Sequence, residues 1–324
     1  CALNAEVFTT VSEITSMEAE KLLGRNADVL LLNGLDMEQF PTFEEISIKH
    51  RISREVMREF FSYYFFPHYS FNLKDSINLF IVGRFEYKNK GIDIFLRALS
   101  GLNKILKEEN FNKTILVFFW IPREVHSTHT TLSNSKVNYL QLKEFIEDHS
   151  DNITHQLINN ILTCKKDCFN QSETISQNLF DKESLKELKR IRLNFIKSGN
   201  PLLVTHHLPN EENDPMLNEF KRFGLDNHQD DKVKVINYPV YLTGVDGLLD
   251  LSYYDAILGC HLGVFPSYYE PWGYTPLESA ALGVPSITTD LAGYGRFIKD
   301  KTEKGGIYVL DRMNKTDDET VNQF

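Results

Sequence analysis

Apolar residues along this chain follow two alternating rhythms. One is the short unbroken run, as in "SINLFIVGRFE", "KTILVFFWI", "PLLVTHH", "KVKVINY", "HLGVFPS" and "VPSITTD". Runs of this length bounded by polar turns predict strands buried on both faces. The other rhythm is an i, i+3, i+4 stripe, clearest in "KGIDIFLRALSGLNKIL", which predicts an amphipathic helix. Near the start, "VFTTVSEITSMEAEKLL" predicts a short strand passing through Ser12 into a helix, and "ADVLLLNGLD" a buried strand ending in a turn. A further helix is expected from about Pro276. Strand and helix in alternation imply an α/β fold built on a mostly parallel, doubly wound, Rossmann-like sheet.

Residues 127–198 break the alternation. "VNYLQLKEFIEDHSDNITHQLINNIL" and "DKESLKELKRIRLNFI" are long, polar and helical, with no strand between them. One reading is a pair of surface helices inserted between strands. The other is a projecting, coiled-coil-like hairpin whose apolar positions require a partner, and that reading implies self-association.

Composition narrows the picture. The chain has 324 residues, 42% hydrophobic and 25% charged, as expected of a globular protein with a substantial core. A formal charge of -10 argues against nonspecific binding to nucleic acid or to an anionic membrane. A phosphate-bearing ligand would therefore need a local cationic cluster. The four cysteines, Cys1, Cys164, Cys168 and Cys260, have no CxxC pairing, and no further ligands stand near Cys164 and Cys168, so no metal site is expected. With no apolar run near 18 residues and no signal peptide, the expectation is a cytoplasmic protein with reduced thiols. The chain opens without an initiator Met and closes on "LDRMNKTDDETVNQF", which suggests a piece of a longer protein.

In open parallel sheets ligands gather at the carboxyl ends of strands, and three turns there carry unusual chemistry. In "FIVGRFEYKNKGIDIF", Arg84 and Lys90 could grip a diphosphate, the first as a fork and the second as a point charge. The plainer reading is a solvated loop with local ion pairs. In "FPSYYEPWGYTPLESAALG", Thr275-Pro276-Leu277-Glu278 has the form of a helix start with Thr275 as N-cap, an electropositive seat for phosphate. Gly273 would allow close approach of a ligand to the backbone, and Glu270 and Glu278 would face one crevice. Glu278 reads equally well as a capping-box carboxylate. In "LSYYDAILGCHLGVF", Tyr253 and Tyr254 open a short helix and His261 begins the strand leading to Glu270; such a tyrosine can stack on a flat base or simply pack in the core.

The stretch "GCHLGVFPSYYEPWGYTPLESAALGVPSITTDLAGYG" resembles the signature of the eukaryotic-type glycogen synthases, retaining glycosyltransferases of the GT-B fold, including their Glu-x7-Glu spacing at Glu270 and Glu278. "VFTTVSEIT", "NGLD", "GRFEYKNKG" and "THHLPNEENDPMLNEFKRFGL" match the same family in the same order, so the likeness covers nearly the whole chain. It implies a donor-binding GT-B domain at 33–324, a remnant of the acceptor-side domain at 1–32, and an oligomerising insertion at 127–198 that builds a tetramer. It implies transfer of glucose from UDP-glucose to a glycogen or α-1,4-glucan acceptor without a metal or other cofactor. Arg84 and Lys90 would neutralise the leaving diphosphate, and Glu270 would contact the glucose and steady positive charge at its anomeric carbon. Gly273, Tyr274 and Thr275 would offer backbone N–H groups to the phosphates. Tyr253 would stack on the uracil, Glu278 would hold the ribose, and His261 is counted with these donor-binding residues.

Two departures qualify the likeness. In "FEEISIKHRISREV", Glu44 and Ser47 stand where the family has His and Gln, and Arg54 replaces Lys, while His50 is kept. Weak or absent activation by glucose 6-phosphate is therefore expected. The glycine-rich acceptor domain is nearly missing, so this chain alone is expected to bind nucleotide weakly and turn over little. A relative using ADP-glucose or another glucan, and a catalytically silent oligomeric scaffold, remain as alternatives. A glucan phosphorylase would need a pyridoxal-bearing lysine motif, which the sequence does not show.

Overall fold

The computed structural model describes residues 2–163, 179–301 and 305–324. Cys1, Cys164 and Cys168 lie outside the described residues, as does the 164–178 part of the helical insertion. The chain divides into two compact units. The first comprises Cys1–Phe60, Phe71–Thr128 and Asn200–Phe324, and the second Phe61–Ser70 and His129–Gly199.

The core of the first unit is a six-stranded, wholly parallel sheet. Its strands are β3 (Ile77–Val82), β4 (Ile115–Trp120), β5 (Val233–Asn237), β6 (Leu262–Val264), β7 (Ser286–Thr289) and β8 (Ile307–Leu310), in the spatial order β5-β4-β3-β6-β7-β8. The first strand of the series thus lies at the centre, and the order reverses between β3 and β6. All six residues of β4 are buried, and all five of β5, which is why they read as unbroken apolar runs. Helix Ile92–Glu108 lays its stripe of Ile92, Phe95, Leu96 and Leu99 on one face, against Leu79, Val117 and Phe119. On that same unit Phe118 stacks with Trp120 at 5.4 Å between ring centroids, and Phe60 of helix Phe43–Phe65 leans on Phe118 at 5.7 Å.

Three strand expectations fail, for identifiable reasons. The run "VLLL" yields only β2 (Val29–Leu30), and Val29, Leu30, Leu31 and Leu32 are each more than 40% exposed. Among the described residues it pairs with β1 (Thr9–Thr10), in a two-stranded ribbon separate from the main sheet. "PLLVTHH" forms no strand; Val204 and His206 make isolated bridges to Asn237 and Thr128. "HLGVFPS" is a strand only over Leu262–Val264, because beyond it the chain turns to build the site.

The Thr9–Leu30 ribbon is docked through helix Glu13–Leu23, which Ser12 caps by accepting from Thr15 N–H. Arg296 of helix Gly293–Ile298 meets Glu13 at 2.9 Å. A Cβ on Gly293 would stand 2.6 Å from that of Ser12, so the two segments touch backbone to side chain.

The second unit is helical. Thr130–Asp148, Ser150–Thr163 and Lys182–Phe195 are its helices, and among the described residues no strand lies between them. Phe145 stands 6.3 Å from Phe180 and Tyr63 is 6.0 Å from Tyr139 between ring centroids. Among the described residues no helix is long and apolar enough to cross a membrane.

Candidate functional site

The reversal between β3 and β6 opens a crevice outside their carboxyl ends, and the turns leaving both strands meet there. The turn after β3 folds on itself: Lys90 N–H donates to Glu86 O at 2.8 Å and Gly91 N–H to Lys88 O at 3.0 Å. Gly91 then adopts a left-handed conformation, φ 68°, and starts helix Ile92–Glu108. A Cβ there would lie 2.0 Å from the carbonyl oxygen of Pro266, so only glycine lets the two turns touch. The turn after β6 is stitched to its neighbours: Tyr268 N–H donates to Asn89 O at 2.7 Å, Thr289 Oγ1 to Ser267 O at 2.7 Å, Gly293 N–H to Glu270 O at 3.1 Å, and Tyr294 N–H to Trp272 O at 2.7 Å.

These contacts bring Lys90 and Glu270 together as a direct ion pair, with side chains only 17% and 22% exposed. The pair stands in a cavity of about 290 Å³ whose wall includes Gly83, Ser267, Trp272, Gly273, Tyr274 and Thr275. Helix Tyr274–Ala281 begins in that wall. Its N-cap is Gly273 in the left-handed region, φ 95°, and no side chain caps it. The expected N-cap at Thr275 is therefore displaced by two residues, and Glu278 no longer stands at the capping-box position. An ammonium, a carboxylate and an uncapped helix start around one small cavity suit a ligand with a phosphate and a polyhydroxylated ring.

A second cavity of about 390 Å³ shares Val82 and Gly83 with the first and is mostly aromatic and apolar, lined by Phe85, Trp120, Pro122, Tyr241, Leu242 and Tyr253. Arg84 is on its wall, not on that of the Lys90 cavity; its side chain is 83% exposed and pairs with Glu86 at 3.0 Å. The two cations read as one grip thus stand on either side of the end of β3. Tyr253 donates its hydroxyl to Glu278 at 2.9 Å, and Tyr254 does so at 3.4 Å. Burial, and then the Glu278 charge, push the Tyr253 phenol far above its ordinary pKa, so it stays a donor. Glu278 is thereby fixed by two phenols instead of lining the Glu270 cavity.

His261 is not brought to the crevice. It precedes β6 at the amino end of the sheet, where its Nδ1 accepts from Asn78 N–H at 2.9 Å and its own N–H donates to Asn78 O at 2.7 Å. Burial, reinforced by Arg54 and His50, pushes its pKa down to about 4, so it is neutral. The donor-binding place that the family likeness implied for His261 is not found: β6 separates it from the turn that carries Glu270. At this far end His50 bonds Leu258 O through Nδ1, and Arg54 has its Nε buried without a partner.

Asn33, of "NGLD", was not singled out from the sequence, yet it lines the Lys90–Glu270 cavity. An asparagine beside a glycine reads as an ordinary turn, and nothing local marks it as site-facing. Its place among the blocks shared with the family was the available signal.

The sequence matches the family model described as Glycogen synthase over residues 1–324. It is 36% identical over 323 residues to the liver glycogen [starch] synthase of Mus musculus, covering 99% of this chain and 45% of that protein. It is also 36% identical over 331 residues to glycogen [starch] synthase isoform 1 of Saccharomyces cerevisiae, covering 100% and 47%. The chain therefore spans about half the length of the curated relatives it matches. Solved structures similar to it include Anabaena Alr3699/HepE in complex with UDP and glucose, at 12% identity and TM-score 0.43, covering 99% of this chain and 53% of that one. Another is the Burkholderia xenovorans α,α-trehalose-phosphate synthase in complex with glucose-6-phosphate, at 11% identity and TM-score 0.43, covering 92% and 44%.

Proposed function

The chain belongs to the glycogen synthase family, and from that premise we propose that it is the donor-binding portion of an enzyme transferring glucose from UDP-glucose to an α-1,4-glucan with retention of configuration. The observation that carries this reading is the sheltered Lys90–Glu270 pair at the strand-order reversal, beside the uncapped start of helix Tyr274–Ala281. On this reading the pyrophosphate enters the Lys90 cavity, takes the Lys90 ammonium as counter-ion and accepts from the N–H groups of Gly273, Tyr274 and Thr275. Glu270, released from Lys90, faces the sugar and stabilises the charge that grows on the anomeric carbon. The base enters the adjoining aromatic cavity against Tyr253, with Arg84 at its rim and Glu278 oriented by Tyr253 and Tyr254 toward the ribose. Cations at fixed positions then do the work for which other transferases employ a metal ion.

The proposal extends to a cytoplasmic enzyme that self-associates as a tetramer through its helical unit, and whose response to glucose 6-phosphate is weak because Glu44 and Ser47 replace basic and neutral partners. The reading is tested by titrating UDP, ADP and UDP-glucose into the isotopically labelled chain. Selective perturbation of Gly83, Tyr253 and Gly273–Thr275 by the uridine ligands is expected, with weak affinity and little turnover. Saturating UDP that leaves both cavities undisturbed would sink the reading, and equal response to ADP would move the donor assignment.

A further inference from the structure

The turns that carry Lys90 and Glu270 meet at three points: Asn89 O accepts from Tyr268 N–H, Gly91 lies against the Pro266 carbonyl, and Lys90 pairs with Glu270. One side chain from outside both turns braces this crossing. Arg312, just beyond β8, is only 5% exposed, and its guanidinium donates to Pro266 O, the very oxygen that touches Gly91. The guanidinium also lies 5.1 Å from the Tyr268 ring centroid. Its backbone is fixed in turn, since Arg312 N–H donates to Asp290 Oδ1 at 2.8 Å and Met313 N–H to the same oxygen at 3.1 Å.

Stability alone is a poor reason for a guanidinium here. Burying it costs desolvation, which a packed apolar side chain would avoid. Of the carboxylates near it, Asp317 is 57% exposed and 3.6 Å away, and half-buried Asp93 has its pKa raised by burial despite the Arg312 charge, so the ionic return is weak. What the charge does achieve is a directed hold on one carbonyl at the junction of the two turns. We propose that Arg312 is a positioning residue that sets the Lys90–Glu270 separation, acting through Pro266 O without touching substrate. Its bearing on transfer rests on the donor-site reading above; its effect on the ion pair does not.

The test uses the chain itself and reads the Lys90 ammonium by ¹⁵N NMR, assigned with Lys90→Arg, alongside UDP titration. In the wild type the ion pair should protect the ammonium protons from exchange with water. Arg312→Gln should speed that exchange roughly tenfold or more, as loss of a charge-assisted contact would, matching Glu270→Gln. Arg312→Lys, which keeps one N–H for Pro266 O, should restore part of the protection. Glu270→Gln should alter UDP affinity in the wild type and leave it unaltered in the Arg312→Gln background, where the pair is already parted. A folded Arg312→Gln chain with full Lys90 protection and intact coupling to Glu270 would overturn the proposal. Should that variant fail to fold, Arg312→Met decides, since it removes every N–H offered to Pro266 O, and protection equal to wild type in it would overturn the proposal as well. A wild-type chain that binds no UDP would refute the donor-site reading, while the Lys90 signal would still judge the brace.

Discussion

Lys90 and Glu270 neutralise one another in the unliganded crevice, so each substitution frees a charge as well as removing one. On the proposed donor-site reading Lys90→Ala should slow glucose transfer by a factor on the order of 10²–10³, the range for deleting one preorganised electrostatic donor. Glu270→Ala should reduce kcat by at least about a hundredfold with KM for the donor changing far less, because its charge is needed only as the anomeric carbon becomes positive. Steady-state kinetics with UDP-glucose check both, and equal losses in kcat and affinity for Glu270→Ala would make it a binding residue. His261 gives a pH test. Its pKa is depressed from 6.5 to about 4 by burial and by Arg54 and His50, so the unfolded chain takes up the proton first. Stability from this group is complete above about pH 6.5 and lost as pH falls toward 4. Thermal midpoints across that window should fall more steeply in the wild type than in His261→Asn, whose carboxamide can still accept from Asn78 N–H; parallel curves would refute the assignment. At this scale residue type was legible and address was not. Glu270 was legible as an acid set among aromatics at a strand end and Lys90 as one of two cations flanking a tight turn, whereas His261 lies close to Glu270 in sequence but at the opposite end of a strand.

Glycines separate the elements whose placement is forced from those that are merely tolerated. Gly91 combines φ 68° with a Cβ position 2.0 Å from Pro266 O, while Gly101, inside helix Ile92–Glu108, has nothing within 4 Å. Gly91→Ala should therefore cost on the order of 3 kcal/mol or more, from left-handed strain plus displacement of the neighbouring turn. Gly101→Ala should add about 0.5–1 kcal/mol, because it removes unfolded-state freedom in an ordinary helical position. Urea midpoints of the two variants test the contrast, and a mild Gly91→Ala would mean the turns do not meet as described. Elements with a strong period were legible from sequence: helix Ile92–Glu108 and strands β3, β4 and β5 stand where the apolar pattern puts them. The failures have a common origin. Periodicity reports which residues seek cover but not whether cover exists, so "VLLL" reads as a core strand although, among the described residues, it pairs only with β1 and stays more than 40% exposed. The helix start was misplaced because Thr-Pro-Leu-Glu satisfies the capping rules locally, whereas Gly273, in a conformation hostile to other residues, begins the helix earlier.

The order of strands across the sheet lies beyond any local pattern, since apolar runs of equal strength do not say which will be neighbours. A parallel sheet with its first strand central follows only when right-handed crossovers and family likeness are added. The net charge of -10 sharpens the meaning of this topology: on the proposed reading an acidic molecule must concentrate the cations that would meet a nucleotide, and the reversal beside β3 is where Lys90 and Arg84 emerge. The helical unit poses a separate question at this scale. On helix Ser150–Thr163, Leu157, Ile158, Ile161 and Leu162 are 37%, 47%, 40% and 77% exposed, and Leu193 on Lys182–Phe195 is 74% exposed. Apolar groups at such spacing exceed what scattered surface residues require, and they are the observation behind the proposed self-association. Sedimentation of the wild-type chain should report a tetramer. Replacing Ile158 and Ile161 together by Asp should lower the mass toward that of one chain, because a buried unpaired carboxylate cannot be accommodated between apolar helices. Uridine binding should survive unchanged in that variant, since both cavities are built wholly from the first unit. A monomeric wild type, or a double variant that still sediments as the wild type does, would show that this face is not the one joining the copies.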